Sequence, residues 1–154
     1  MLKTGRQCLI NNESLLSKFD KGVRMFIHME GQKVIREVYD SFCDCQKYPT
    51  MQLRYMWTRL RCDLDKADLF RTDWNNWNAY IDGIDNLIPD KNPAILYYLI
   101  VDSGEVYETT LSEIKKMLYE YPKSMEDFYL VSTDYKWLII HCDDGECMFR
   151  VSKR

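Results

Sequence analysis

The sequence predicts an α+β fold: N-terminal helices packed on a mainly antiparallel sheet of about 4–6 strands with one inserted helix. Three observations carry the expectation. Apolar residues recur at helical spacing in the first third of the chain, and after Pro93 they gather in short runs of strand length. The last of these runs are joined by connections so short that neighbouring strands must be antiparallel.

Taken in order, Leu15, Leu16, Phe19, Val23, Phe26 and Ile27 repeat at helical spacing, and Val34, Ile35, Val38, Tyr39 and Phe42 continue the pattern beyond Gly31. Two helices, or one long bent one, are expected from residue 13 to about residue 45, with Asn12 as a cap, Glu13 favoured by the helix dipole, and Pro49 closing the region. Met51, Leu53, Tyr55 and Trp57 alternate as on a strand, although Leu53, Trp57, Leu60 and Leu64 also fit a helix; the reading leans to a strand through Trp57. Trp74, Trp77, Ile81, Ile84 and Ile88 line one helical face, with Thr72 or Asp73 as cap and Pro89 as stop.

The run at 94–101 is apolar almost throughout, as a central strand requires, and the turn Asp102-Ser103-Gly104 leads to a short partner from Glu105 to Glu108. Thr110-Leu111-Ser112-Glu113 has the form of a capping box for a helix carrying Leu111, Ile114 and Leu118 and ending at Tyr121-Pro122. Strands at 128–132, 136–142 and 147–153 complete a meander. No repeat or linker divides the chain, so residues 1–154 read as one domain.

Composition limits the function less than the fold. Hydrophobic residues make up 46% of the chain and charged residues 29%, which suits a globular domain and excludes disorder. The formal charge of -3 argues against a generally basic nucleic-acid binder. It hides an asymmetry: residues 1–61 balance to +5 and residues 62–154 to -8. No run approaches the roughly 20 apolar residues of a membrane span. The first residues lack the apolar core and cleavage site of a signal peptide, so a cytoplasmic location is expected.

The chain carries six cysteines, expected in that setting to be reduced, small, partly buried hydrophobes. Cys43 and Cys45 lack zinc-knuckle spacing, and Cys142 and Cys147 sit at the two ends of a hairpin without a second pair, so no metal or other cofactor is expected. His28 and His141 are the only histidines, and His141 and Cys142 point to opposite faces of one strand, which prevents a nucleophile–base pair between them. Neither glycine-rich phosphate-loop pattern occurs. The segment around Asp63, Asp65 and Asp68 lacks the mid-loop glycine and closing glutamate of a calcium loop. The expectation is a protein that is not an enzyme.

Carboxylates remain. Residues 61–90 hold 7 acidic and 3 basic side chains, and Asp143, Asp144 and Glu146 crowd one hairpin turn. Asp63, Asp65, Asp68, Asp82, Asp85, Asp143, Asp144 and Glu146 are therefore the candidate partner-binding residues, able to steer a basic partner and bond its Lys and Arg side chains. Trp57, Trp74, Trp77 and Trp137 are rich material for an anchor, although the spacing of Trp74 and Trp77 points first to the core.

The strand from Ile95 to Val101, the polar turn, the T-x-x-E helix ending in Tyr-Pro, and the run DFYLVSTDYKWLIIHCDDG resemble small bacterial proteins of a family without assigned activity. These are similar in size to immunity proteins of polymorphic toxin systems, including the SUKH and contact-dependent growth inhibition groups. The resemblance covers about residues 94–150. His141-Cys142-Asp143 stands where those families often have Asn or His, so only the role of the class is carried over. It implies a cytosolic inhibitor that binds a cognate toxin, often a nuclease, and covers its active site or an essential surface, without itself binding nucleic acid or membrane. The alternative is a small enzyme or ligand-binding domain with a pocket between the 73–88 helix and the sheet.

Overall fold

In the computed structural model, which describes residues 22–120 and 126–154, seven strands form one sheet with helices on both faces. The strands are β1 (Arg24–Met25), β2 (Asp65–Arg71), β3 (Leu96–Val101), β4 (Val106–Thr110), β5 (Phe128–Ser132), β6 (Trp137–Cys142) and β7 (Cys147–Ser152). Their order across the sheet is β1-β4-β3-β5-β6-β7-β2, and every neighbouring pair is antiparallel. The helices are α1 (His28–Phe42), α2 (Trp77–Asp82), α3 (Ile84–Leu87) and α4 (Leu111–Glu120), with a 3-10 turn at Met56–Arg59. The α+β class holds, with more strands than the sequence led us to expect.

The central strands β3, β5 and β6 send alternate side chains into two cores. On one face α1 packs Val34, Ile35, Val38, Tyr39 and Phe42 against Ile100, Tyr129, Val131, Leu138 and Ile140. At about 1.5–3 kcal/mol for each buried apolar side chain, this stripe secures α1 to the sheet. On the other face α2, α3 and α4 pack Trp77, Ile81, Ile84, Ile114 and Leu118 against Leu99, Leu130, Ile139 and Met148. The indole N–H of Trp77 donates to the Leu118 carbonyl at 2.8 Å and joins α2 to α4.

Several elements differ from expectation. Val23, Phe26 and Ile27 do not extend a helix: Arg24–Met25 pairs with β4, and α1 starts only at His28, which is exposed. Leu15, Leu16, Phe19 and the Asn12 cap lie outside the described residues. The segment 51–57 is not a strand. Tyr55 takes a left-handed conformation (φ 59) that leads into the 3-10 turn, and the Tyr39 hydroxyl shares its proton between the Tyr48 and Thr50 carbonyls, holding the preceding loop to α1. The tryptophan helix begins with Asn76 as cap and divides at Gly83, where a Cβ would lie 2.9 Å from the Tyr80 carbonyl oxygen. Asp73 instead accepts from the amides of Asn75 and Asn76.

Candidate partner-binding site

Antiparallel order decides which turns share an end of the sheet. Val101 pairs with Phe128, Phe128 with His141, and Cys142 with Cys147. The end of β3, the start of β5 and the β6–β7 turn are therefore neighbours, and each is acidic: Asp102 and Glu105, Glu126 and Asp127, then Asp143, Asp144 and Glu146.

Hydrogen bonds join the three segments. The Glu126 amide donates to the Asp102 carboxylate at 3.2 Å, and the Asp143 amide donates to Asp127 Oδ1 at 3.1 Å. Asp127 is buried, and desolvation together with Asp144, Glu126 and Asp143 pushes its carboxyl up to about 6 despite the bond from the Asp143 amide. Burial and the neighbouring carboxylates also raise Asp143 and Asp102. Arg54 reaches Glu126 at 4.0 Å at the margin of this cluster. Asp144 and Glu146 project to solvent, and neither makes an ion pair among the described residues.

Glu146 has a left-handed backbone (φ 46), a conformation that Gly or Asn adopts more easily. Its carbonyl accepts from the Thr72 amide at 2.9 Å, while its own amide closes the turn onto the Asp143 carbonyl at 2.9 Å. The turn is thus fixed at both ends with its carboxylates outward.

The eight carboxylates expected to bind a partner do not form one surface. Asp143, Asp144 and Glu146 stand together at the acidic end. Asp63 is held by two bonds from Arg61, at 2.9 and 2.8 Å, and Asp65 bonds Arg154 at 2.8 Å at the opposite end of the sheet. Asp82 and Asp85 clasp Lys115 of α4 at 3.1 and 2.8 Å, and Asp82 also accepts from the Tyr119 hydroxyl. That hydroxyl and Lys115 hold the Asp82 carboxyl below its ordinary range. Asp68 is exposed on edge strand β2, between Lys66 and Leu69 where the register shifts. Asp102, Glu105, Glu126 and Asp127 were missed by sequence reasoning, which weighed carboxylates by local density. The pairing of the four short strands was the signal that could have located them.

Other chemistry-bearing groups are dispersed. His141 is fully buried between Phe128, Trp77 and Tyr80, its Nδ1 2.5 Å from the Tyr80 hydroxyl, and burial lowers its pKa to about 4. It faces the second core, whereas Cys142 faces the first. Trp77 is a core residue stacked on the half-buried Trp74. Among the described residues no group of three or more potential ligands could hold a metal ion. No helix there is long and apolar enough to cross a membrane. A cavity of about 420 Å³ lies beside α4, lined by Ile88, Pro93, Tyr97 and Tyr119 with Lys115 and Asp85 at its polar side.

Residues 20–154 match the model of a family described as "Family of unknown function (DUF6756)". None of the curated proteins matches the chain.

Proposed function

The chain belongs to the DUF6756 family, whose function is unknown, and from its own surface we propose that it is an inhibitor of the immunity type, which docks its acidic sheet end on a basic toxin domain. The observation that carries this reading is the convergence of Asp102, Glu126, Asp127, Asp143, Asp144 and Glu146 from the end of β3, the start of β5 and the β6–β7 turn, with Arg54 at their margin 4.0 Å from Glu126. Like charges held together at the expense of stability favour a partner that brings the opposite charge. A nuclease domain is such a partner, because a surface built to grip phosphates is positive and a rigid row of carboxylates can occupy it. In this reading the protein is not an enzyme and acts by occlusion in the cytoplasm, forming a stoichiometric complex without contacting nucleic acid or membrane itself.

The cavity beside α4 favours a second reading, a ligand-binding domain or small enzyme. Of its two carboxylates, Asp85 is paired with Lys115 and Asp90 makes no ion pair among the described residues, and the buried His141 does not line it.

Co-expression with the product of an adjoining growth-inhibitory gene tests the proposal. Rescue of growth by this chain supports it, and failure to rescue any such candidate refutes it.

A further inference from the structure

Cys142 and Cys147 close the β6–β7 hairpin as its last paired residues, their sulfur atoms 3.3 Å apart. A disulfide needs about 2.05 Å, so the remaining gap is closed by side-chain rotation and slight tightening of a cross-strand pair. Both residues are buried, at 1% and 7% exposure, yet both line a cavity of about 440 Å³. Gly145 lines it too, and a Cβ there would sit 2.8 Å from the Cys142 sulfur and 3.4 Å from the Cys147 sulfur. The glycine thus leaves room at the sulfurs for a small reagent, in the turn that carries Asp143, Asp144 and Glu146.

We propose that Cys142 and Cys147 are a modification site, a dithiol that oxidised glutathione converts reversibly into an intrachain disulfide, and that this bond stiffens the acidic turn. The thiolate of Cys147, the more accessible residue, attacks one glutathione sulfur, breaking the glutathione disulfide and releasing one glutathione thiolate, which takes up a proton. Cys142 then attacks the Cys147 sulfur of the mixed disulfide, expels the second glutathione and passes its proton to it. Two protein thiols and one glutathione disulfide become one protein disulfide and two glutathione thiols. The chemistry belongs to the isolated chain; only its consequence for docking rests on the inhibitory reading.

The test uses the full chain in a glutathione redox buffer, with unfolding, alkylation and peptide mapping. Of the six thiols of the reduced chain, four remain alkylatable after oxidation, with Cys142 and Cys147 joined. Cys142→Ser traps a glutathione adduct on Cys147, whereas Cys147→Ser gives none on Cys142; where either variant fails to fold, mapping of the unaltered chain decides. Amide exchange at residues 143–146 slows about tenfold on oxidation. Six alkylatable thiols after exposure, a bond to any other cysteine, or an adduct that never resolves would overturn the site. A joined pair with unchanged exchange in the turn would overturn the stiffening. Neither result depends on a toxin partner, so failure here is distinct from failure of the docking proposal.

Discussion

Replacing Asp127 by Asn tests the energetic claim that burial, with the neighbouring carboxylates, makes the ionised Asp127 costly to the fold. Asn keeps the oxygen that accepts from the Asp143 amide and removes the charge. The Asp127 carboxyl stands at about 6, raised from 3.8 chiefly by burial, which corresponds to about 3 kcal/mol of penalty on the ionised form in the fold. The sign follows from linkage. A carboxyl whose folded value is raised favours the folded state fully only below its unfolded value, and this contribution is lost as pH rises through about 6. Asp127→Asn is therefore expected to be more stable than the parent by up to about 3 kcal/mol at pH 7.5, with the gap closing below pH 4.

The difference between the two proteins must be measured, because His141 acts in the opposite sense: its lowered pKa gives stability that is lost as pH falls below 6.5. In the difference His141 cancels. Urea denaturation followed by circular dichroism at a series of pH values gives the curve. A variant no more stable than the parent at pH 7.5, or a gap that does not change with pH, would refute the claim that the ionised Asp127 is held at a cost.

Other perturbations have defined outcomes. Glu146→Gly relieves the left-handed backbone and should stabilise the fold by up to about 1 kcal/mol in the same denaturation assay; a loss of stability would show that the Glu146 side chain supports the turn. Gly83→Ala drives a Cβ into the Tyr80 carbonyl oxygen between α2 and α3 and should cost about 1 kcal/mol or more, so an unchanged urea midpoint contradicts the need for glycine there. Trp77→Phe leaves the Leu118 carbonyl without its indole donor and should lower stability by about 1–3 kcal/mol, whereas a neutral result would mean that water replaces the donor. Lys115→Met should let the Asp82 carboxyl rise toward its ordinary value in an NMR titration; a still-depressed value would assign the effect to Tyr119 alone.

How far the sequence disclosed this molecule depends on which element is asked. Strands β3, β5, β6 and β7 were legible because their apolar runs are bounded by turn residues, and α1 beyond Gly31 because its stripe is regular. Strand β2 was not, since Asp65–Arg71 lies at the sheet edge with mostly exposed side chains and alternates charge with apolar residues irregularly around a register shift. Division of the tryptophan helix at Gly83 depends on contact with the Tyr80 carbonyl, which no periodicity reveals. The candidate site was legible in one turn, Asp143 to Glu146. Its other carboxylates join only because β3, β5 and β6 run antiparallel as neighbours, and the ion pairs of Asp63, Asp65, Asp82 and Asp85 depend on cations that only the fold, or in Asp63 a close Arg61, brings to them.

The most direct test of the docking surface is the association rate with the growth-inhibitory protein that the chain rescues, measured by stopped flow at low and high salt. Asp143→Lys, Asp144→Lys and Glu146→Lys together should slow association at least about tenfold at low salt and flatten its salt dependence. Reversal of Asp63 and Asp65 should change it little. Association as fast and as salt-sensitive as that of the parent, after all three turn charges are reversed, would contradict the assignment of the acidic end.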